Sequence, residues 1–326
     1  MGLPDKAKPS ALINISIINY RTPDLTIQCV RSVLDDESGA DCMVTIVDNA
    51  SEDGSLEKLS EFTSSLTDTA RVQLVASNTN TGFSGGHNQG VAACEATYHL
   101  VLNSDAILKP GFLSAMLEAA ERSSDCGLFA PRIDYDDGTR QINCFRFPGA
   151  LSELIRGAGT GPVTRLLRDH DVSLENPPDP DQIEWASFAC ILLRDKMLRA
   201  IGPMDEGYFL YFEDVEYCWR ARQAGWRICL APTARAVHFR GGSGPVKASQ
   251  SARKRLPSYY YASRTRVLYQ MHGRLGLTQA NLMWLLGRGI AQLRLLAGKR
   301  VPPANEKEAS DIWTNFLNPL GDRGAV

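Results

Sequence analysis

The chain has 326 residues, of which 44% are apolar and 22% charged, and its formal net charge is −2. This composition is typical of a soluble globular protein and argues against extensive disorder. The length fits one large α/β domain with an appended segment. Eight cysteines occur without a C-x-x-C pair, which argues against a zinc site or a dense disulfide framework and suits a reducing cytosol. We find no signal peptide and no apolar run of the about 20 residues that a bilayer span needs.

The N-terminal part of the chain alternates strand and helix patterns with short connections. Strands are predicted over 12–19, 43–48, 71–76 and 98–102, and helices over 23–34, 55–62, 87–95 and 111–122. A glycine-rich turn, Thr81–Gly86, is expected just before the third of these helices. Such alternation is typical of an α/β fold with a mostly parallel twisted sheet flanked by helices.

The pattern is looser after Gly127. Asp136-Asp137-Gly138 predicts a hairpin turn between short strands. The glycine- and proline-rich stretch 149–181 is interpreted as an insertion outside the core with one short helix. Further strands are predicted over 183–193, 226–230 and 234–237, and further helices over 194–201 and 213–224.

Short polar clusters follow two of the apolar strands. Asp48-Asn49 comes after the second strand, and Asn103-Ser104-Asp105 after the fourth. Carboxylates at the C-terminal ends of such strands are how an open α/β sheet builds a site for a phosphorylated ligand. Asp48 can accept a hydrogen bond from the imide N–H of uracil or thymine. A helix cap in the following residues is an alternative explanation for this cluster.

Two features near these clusters could contact phosphates or a metal. The backbone N–H groups of Thr81–Gly90 could approach a diphosphate or ribose, although a simple tight turn explains the glycines equally well. The segment matches neither a Walker loop nor the dinucleotide motif. Asp105 could bind the hard divalent cation that a nucleotide diphosphate requires, but it would need a further ligand. A turn motif before the next helix is the structural alternative.

Two later positions complete the set of candidate residues. Glu213-Asp214 opens a predicted helix and is preceded by four aromatic residues, so one carboxylate could act as a general base in a shaped pocket. Acidic residues are also common in first helical turns because they favour the helix dipole. His238 could supply the second metal ligand, and the basic loop 239–243 could close over phosphates. A purely structural histidine is the alternative.

Taken together, the motifs resemble those of the inverting glycosyltransferase family 2, which has the GT-A fold, and more closely its bacterial rhamnosyltransferase-like members. The resemblance covers roughly residues 12–245 in the family's order. The matching segments are ISIINYRTPDLTIQCVRSVL, VTIVDNASEDGS, NTNTGFSGGHNQG, LNSDAIL, MDEGYFLYFEDVEYCWRARQAGW and VHFRGGS.

The resemblance implies a role for each candidate residue. Asp214 would be the catalytic base, and Asp105 and His238 would bind Mn²⁺ or Mg²⁺. Asn103 stands where the family often has an aspartate, which leaves the affinity for the metal and its identity open. The donor and acceptor would be bound by Asn19, Tyr20, Arg21, Asp48, Asn49, Gly82, Gly86, Asn88, Asn103, Ser104, Trp185 and Glu213, of which Trp185 and Glu213 belong to the acceptor side. We expect Asp105, Asp214 and His238 to converge on one cleft.

The expected organisation is a catalytic domain over 1–245 and a helical basic segment over 246–326. Within the former, 12–125 would bind the nucleotide and 126–245 the acceptor. Between His238 and Ala304 the sequence has no Asp or Glu but twelve Lys and Arg, with many leucines. This pattern indicates a basic amphipathic helix that either lies on an anionic membrane surface or packs on the catalytic domain. No nucleic-acid-binding motif accompanies the charge.

These observations predict a cytoplasmic glycosyltransferase, peripheral on the inner face of the cell membrane. It would transfer L-rhamnose from dTDP-rhamnose to a glycan or a polyprenyl-diphosphate-linked acceptor. Transfer from a UDP-sugar, such as galactofuranose, glucose or N-acetylglucosamine, stays open. So does a nucleotide-sugar-binding scaffold without turnover. A nucleotidyltransferase is disfavoured because no basic glycine-rich loop follows the first strand.

Overall fold

The computed structural model describes residues 10–36, 40–67, 71–239 and 246–322. Their contacts divide the chain into two compact units that do not follow chain order. Unit 1 comprises the described residues of Met1–Asn143, Ser187–Met204 and Arg220–Ser243. Unit 2 comprises the described residues of Cys144–Ala186, Asp205–Trp219 and Gly244–Val326. The functional halves expected over 12–125 and 126–245 stay a prediction.

Unit 1 contains the main sheet and the helices that flank it. Its elements are β1 (Ser10–Asn19), α1 (Pro23–Leu34), β2 (Cys42–Asp48), α2 (Ser55–Ser64), β3 (Val72–Ala76), α3 (Gly82–Ala92), β4 (Glu95–Asn103), β5 (Ala106–Leu108), α4 (Phe112–Arg122), β6 (Cys126–Asp134), β9 (Cys190–Arg194), α7 (Asp195–Ile201) and β10 (Arg227–His238). The eight strands run in the order β3-β2-β1-β4-β9-β6-β10-β5. β9 and β5 are antiparallel to their neighbours, whereas the other pairs are parallel. The predicted α/β class with a mostly parallel sheet is confirmed.

The register of the parallel strands sets the position of the candidate residues. Asn19 pairs with Asp48 across β1 and β2, and Ile18 pairs with Asn103 across β1 and β4. The three strands therefore end at one edge of the sheet. Their apolar residues, such as Ile17, are fully buried in the core of unit 1, so a shift of register would expose that core.

The glycine-rich turn predicted over Thr81–Gly86 is wrong, because Gly82 already begins α3. Glycine is needed here for close packing on the sheet. A Cβ atom added at Gly86 would lie 2.7 Å from Cδ1 of Ile18, and one added at Gly90 would lie 2.1 Å from Oγ of Ser16. The helix therefore approaches the sheet more closely than side chains would allow.

Two strand predictions also need correction. The strand predicted over 183–193 is two strands, β8 (Trp185–Ala186) and β9, which belong to different sheets. The strands predicted over 226–230 and 234–237 are one strand, β10, whose register against β6 shifts between Ala231 and Arg235. A bulge of this kind lets one strand continue past a local break in its pairing.

Unit 2 consists mainly of helices. Its elements are β7 (Cys144–Phe145), α5 (Ala150–Ala158), α6 (Gly161–Leu166), β8, the first part of α8 (Glu213–Gln223), α9 (Val246–Ser251), α10 (Ser258–Leu296) and α11 (Glu308–Asp311), with 3₁₀ turns at Arg168–His170 and Pro180–Gln182. β7 and β8 form a small antiparallel sheet. α10 is kinked at Gly273, whose backbone is not helical.

The stretch 149–181 is not an insertion outside the core, as the sequence had suggested. Its helix α5 packs along α10, and Ile155 and Ala158 are buried. The two helices approach so closely that a Cβ atom on Gly157 would lie 2.3 Å from the carbonyl oxygen of Trp284. Glycine at this crossing allows backbone-to-backbone contact, which a local pattern of apolar residues does not reveal.

Other local predictions are confirmed or refined. The Asp136–Gly138 turn is present, with the N–H of Tyr135 donating to the oxygen of Thr139 at 2.7 Å. Cys126 and Cys229, on neighbouring strands, are disulfide-bonded, while the other six cysteines are free and buried. Within the described ranges no helix is both long and apolar enough to cross a membrane.

Candidate active site

The edge of the main sheet brings Asp105 and His238 into direct contact. Asp105 lies between β4 and β5, and His238 is the last residue of β10, which pairs with β5. Oδ1 of Asp105 is 3.1 Å from Nε2 of His238, and Nδ2 of Asn103 is 3.4 Å from the same nitrogen. A backbone hydrogen bond also holds the two residues together, because the N–H of Phe239 donates to the main-chain carbonyl oxygen of Asp105 at 3.0 Å.

The side chains of Asp105 and His238 fit a divalent cation of the kind the sequence predicted. They supply a carboxylate oxygen and an imidazole nitrogen, both about nine-tenths buried, and Mn²⁺ accepts this ligand combination. Across the part of the chain that the structure describes, no three His, Cys, Asp or Glu side chains cluster as metal ligands. A cation held here would therefore take its remaining ligands from water or from a bound substrate.

Asp48 is held by a buried hydrogen-bond network at the ends of β1 and β2. Its Oδ1 accepts from Nδ2 of Asn19 at 2.7 Å and from Oγ of Ser51 at 2.6 Å, and its Oδ2 accepts from the N–H of Ser51 at 3.2 Å. Ionised carboxylates have about four acceptor positions, so this network fixes Asp48 without using its full capacity. Recognition of a base by Asp48 stays a prediction.

Arg21 and Tyr20 extend this network. The backbone N–H of Arg21 donates to the side-chain Oγ of Ser51 at 3.1 Å. The Nε of Arg21 donates to the main-chain carbonyl oxygen of Ser51 at 3.0 Å. Arg21 has a left-handed backbone, with φ of 59°, and its guanidinium lies 5.0 Å from the centre of the Tyr20 ring. The conformation holds a cation against an aromatic face next to Asp48.

Two of the residues predicted to bind substrate, Asn49 and Asn88, make hydrogen bonds that dock α3. Nδ2 of Asn49 donates to the oxygen of Gly82 at 3.0 Å, while its Oδ1 accepts from the N–H of Thr81 at 3.0 Å. The side-chain amide of Asn88 makes two hydrogen bonds to the backbone of Met204. Its Nδ2 donates to the carbonyl oxygen and its Oδ1 accepts from the N–H, at 3.0 Å each. Substrate contacts of Asn49, Gly82, Gly86, Asn88 and Ser104 stay predictions.

In unit 2, Glu213 and Asp214 begin α8 after an unusual turn. Tyr211 and Phe212 both have left-handed backbones, with φ of 72° and 69°. Each such bulky residue costs about 1–3 kcal/mol, and outliers of this kind cluster at functional sites. The rings of both residues pack on Tyr260, with centroids 5.7 and 5.4 Å away, which holds the turn in place.

The two carboxylates of this turn lie in different surroundings. Burial raises the pKa of Glu213, the neighbouring charge of Asp214 raises it further, and Oε2 of Glu213 has no hydrogen-bond partner among the described residues. Asp214 is anchored through its Oδ1, which accepts from the N–H of Val215 at 2.9 Å. A raised pKa at Glu213 beside Asp214 gives two adjacent acids different electrostatic surroundings, which is how neighbouring carboxyl groups take different roles.

Trp185, predicted on the acceptor side, lies in the same unit. Its ring stacks on Phe145 with centroids 4.2 Å apart, and its Nε1 donates to the oxygen of Arg146 at 2.8 Å. Trp185 and Phe212 pack against the same hydrophobic cluster, which contains Val215 of α8. Trp185, Glu213 and Asp214 thus belong to one unit, and Asp105 contacts His238 in the other. The convergence of Asp214 with that pair stays a prediction.

Comparison with known proteins adds family evidence to this geometry. Residues 15–167 match the model of "Glycosyl transferase family 2". These residues form a glycosyltransferase family 2 domain. They contain the second half of β1, all of β2 to β4, and the polar strand ends that carry Asp48 and Asp105.

Relatives of the family 2 domain include rhamnosyltransferases. The chain is 29% identical over 272 residues to the N-acetylglucosaminyl-diphospho-decaprenol L-rhamnosyltransferase of Mycobacterium tuberculosis, covering 77% of this chain and 81% of the relative. It is also 25% identical over 196 residues to the rhamnosyltransferase WbbL of Escherichia coli K12. That match covers 56% of this chain and 71% of the relative. The predicted likeness to a rhamnosyltransferase-like branch is confirmed.

A solved structure supports the fold. The mannosyltransferase PcManGT from Pyrobaculum calidifontis, solved with GDP-Man and Mn²⁺, matches with a TM-score of 0.51 at 12% identity, over 97% of this chain and 74% of the other. At this identity the likeness concerns the GT-A-type fold alone.

Two residues of the family 2 domain, Ser51 and Gln141, hold the site but are not among the candidates that the sequence predicts. Ser51, among the residues that the sequence offers as a helix cap after Asp48, connects Asn19, Asp48 and Arg21. Gln141 holds the end of β10, because its Nε2 donates to the oxygen of His238 at 2.6 Å. The spacing D-x-x-S from Asp48 gave a signal for Ser51, whereas nothing in the sequence around Gln141 indicated its role.

The loop predicted to close over phosphates lies mostly outside the described residues. Only Phe239 of 239–243 is described, and it is half exposed. The loop's closure therefore stays a prediction.

Proposed function

We propose that this protein transfers L-rhamnose from dTDP-rhamnose to a hydroxyl of a lipid-linked glycan, with inversion at the anomeric carbon. The observation that carries the proposal is the contact between Asp105 and His238 at the sheet edge where β1, β2 and β4 end. It is supported by the family 2 domain and by relatives whose names specify rhamnosyl transfer. The diphospho-decaprenol in one relative's name supports a polyprenyl diphosphate in the acceptor.

The donor would lie along the sheet edge of unit 1. Asp48, fixed by Asn19 and Ser51, would accept the imide N–H of thymine, and Tyr20 would offer a ring face to the base. Asp105 and His238 would hold a divalent cation, Mn²⁺ or Mg²⁺, which neutralises charge on the departing diphosphate. Asn103, next to His238, would orient the imidazole.

The acceptor would be activated in unit 2. Asp214 would take the proton of the attacking hydroxyl, because its carboxylate is fixed at the start of α8. Glu213, whose pKa is raised by burial and by the charge of Asp214, would donate a hydrogen bond to the acceptor sugar from its protonated form, without adding a second negative charge. Trp185 would provide an aromatic face for that sugar.

The second half of α10 supports a location at the inner face of the membrane. Beyond the kink, four exposed leucines at spacings of 7, 4 and 7 form one stripe, Leu275, Leu282, Leu286 and Leu293. Intervening residues on that face, Thr278, Gln279 and Gly289, are uncharged. Such a stripe within a segment of twelve basic and no acidic residues matches the requirements of an anionic bilayer surface.

Donor binding tests the proposal directly. We would titrate the protein by calorimetry with dTDP-rhamnose, UDP-galactofuranose and UDP-glucose, with and without Mn²⁺ or Mg²⁺. The expected result is cation-dependent binding of dTDP-rhamnose at least tenfold tighter than either UDP-sugar. Preference for a UDP-sugar would refute the donor assignment, and tight binding without any transfer to a lipid-linked acceptor would favour a scaffold.

A further inference from the structure

A cavity of about 450 Å³ lies in unit 2, apart from the residues assigned above. Three arginines line it, Arg156 of α5, Arg253 before α10 and Arg288 of α10, together with one carboxylate, Glu308. Its aromatic surface comes from α10. The lining side chains therefore give the cavity an excess of two positive charges, which favours an anionic ligand.

The three arginines differ in how they are already paired. Arg156 bonds to both Glu153, at 2.7 Å, and Glu308, so its charge is neutralised locally. Among the described residues, Arg288 donates to the carbonyl oxygens of Gly157 and Pro302, at 3.2 Å each. Arg253 makes no ion pair with any described carboxylate. Arg253 and Arg288 thus line one space, and neither forms an ion pair with a described carboxylate.

These two cations act on each other. Burial lowers the pKa of Arg288, Glu308 opposes this, and the charge of Arg253 lowers the pKa further. Like charges brought together in a partly enclosed space repel, and an anion between them would turn that repulsion into attraction. Such an arrangement is expected where a ligand completes the charge balance.

A lining amide also lacks a partner. Oδ1 of Asn305 is buried and has no hydrogen-bond partner within the described part of the chain. A side-chain amide can be turned over so that its NH₂ group occupies the same place and donates instead. Asn305 would then give an anion a neutral donor beside the guanidinium groups.

We propose that this cavity binds the diphosphate of the lipid-linked acceptor, an inference that rests on the proposed function. The guanidinium groups of Arg253 and Arg288 match the oxygens of a diphosphate, because a planar guanidinium can donate two parallel N–H hydrogen bonds to two phosphate oxygens. Trp284 and Leu256 offer apolar surface to the first prenyl carbons. The site therefore selects an acceptor that carries both a diphosphate and a lipid.

The cavity is also connected to the turn that carries the proposed base. Tyr260 lines the cavity, and its ring contacts those of Tyr211 and Phe212. These two residues immediately precede Glu213 and Asp214. A diphosphate held against Tyr260 would thus be bound one aromatic ring away from the acidic turn, as a sugar-diphosphate acceptor requires.

Binding of two probes to the full-length protein tests the proposal. The probes are farnesyl diphosphate and inorganic pyrophosphate, measured by calorimetry, and the variants are Arg253→Gln and Arg253→Gln/Arg288→Gln. We expect farnesyl diphosphate to bind the wild type and to lose at least tenfold in affinity in the double variant, with a smaller loss in the single variant. Lys299→Gln/Arg300→Gln is the matched control, because it removes two exposed charges of the same segment outside the cavity.

Each remaining result counts against the proposal. Equal losses in the cavity variant and the control would indicate general electrostatic attraction, and no binding to the wild type would refute the site. Pyrophosphate binding as tightly as farnesyl diphosphate would make the cavity a free-anion site. The single variant guards against misfolding, because the Arg253 side chain is exposed. Calorimetry with dTDP-rhamnose, run separately, shows whether the proposed function itself fails.

Discussion

Gly157 and Gly287 face each other where α5 crosses α10. A Cβ atom added at Gly287 would lie 2.5 Å from the oxygen of Leu154 and 2.9 Å from the carbonyl carbon of Gly157. Neither backbone can yield without separating the helices. This crossing fixes α10, which contributes the exposed leucines and also Tyr260, Trp284 and Arg288 of the cavity in unit 2.

We therefore expect Gly287→Ala to destabilise the protein by about 1–3 kcal/mol, the usual cost of overpacking. Gly289→Ala is the matched control, because no atom lies within 4 Å of its added Cβ. Alanine is the better helix former, so this control should gain up to about 1 kcal/mol. Denaturant unfolding of both variants measures the difference. Equal stability of the two would contradict the close crossing.

The pair of Asp105 and His238 predicts a dependence on divalent cations. Asp105→Asn and His238→Ala should each lower transfer by about 10²–10³-fold, comparable to the loss of a preorganised charge-stabilising group. Both should also weaken the cation-dependent part of donor binding in calorimetry. His170→Ala, which changes an exposed histidine elsewhere, should leave both quantities unchanged. Cation-independent binding in the wild type would remove the basis of this prediction.

Asp214→Asn separates chemistry from binding. The amide keeps the shape of the side chain but does not take a proton, so transfer should fall by about 10²–10⁴-fold while donor affinity stays the same. The assay follows sugar transfer and donor calorimetry on one preparation. Glu206→Gln, at an exposed position just upstream, is the control. Retained turnover in the Asp214 variant would assign the base to another residue.

The fold of unit 1 could be predicted because its strands are short apolar runs, each followed by a polar cluster. The pairing of Asn19 with Asp48 follows from parallel strands that end together. The helix α3 was misread because local glycine density indicates a loop, whereas the reason for Gly86 and Gly90 lies in the distant side chains of Ile18 and Ser16.

Two features of unit 2 could not be predicted from the sequence for the same reason, because residues distant in the chain determine them. The packing of α5 on α10 depends on two glycines far apart in sequence, and no local period reveals it. The left-handed backbones of Tyr211 and Phe212 run against the intrinsic preference of bulky residues and are held by Tyr260. Sequence could place Asp214 on a helix start but could not show the strained turn before it.

Glu213 predicts a pH dependence of stability. Its pKa in the folded protein is raised above the ordinary value of 4.5, chiefly by burial and then by Asp214. The stability contributed by the neutral carboxyl is therefore complete below the unfolded pKa and is lost as the pH rises through the folded pKa. The side chain of Glu213→Gln stays neutral at every pH. The melting temperature of the variant should therefore increase relative to that of the wild type as the pH rises above about 4.5. Melting curves from pH 4 upward would show a constant difference if the wild-type carboxyl were not perturbed.

The leucine stripe on α10 predicts membrane binding that depends on both apolar contact and charge. Leu282 and Leu286, each about half exposed, lie one turn apart at the centre of the stripe. Replacing both with Glu would place two charges in the acyl boundary and repel anionic headgroups, so binding to vesicles of anionic phospholipid should fall at least tenfold in a sedimentation assay. Leu166→Glu, which changes an 83% exposed leucine on α6, should bind like the wild type. Wild-type binding should weaken as salt is raised and should be weaker still on neutral vesicles, because the basic residues contribute only where the surface is anionic. Binding that survives in the double variant would mean that α10 does not contact the bilayer.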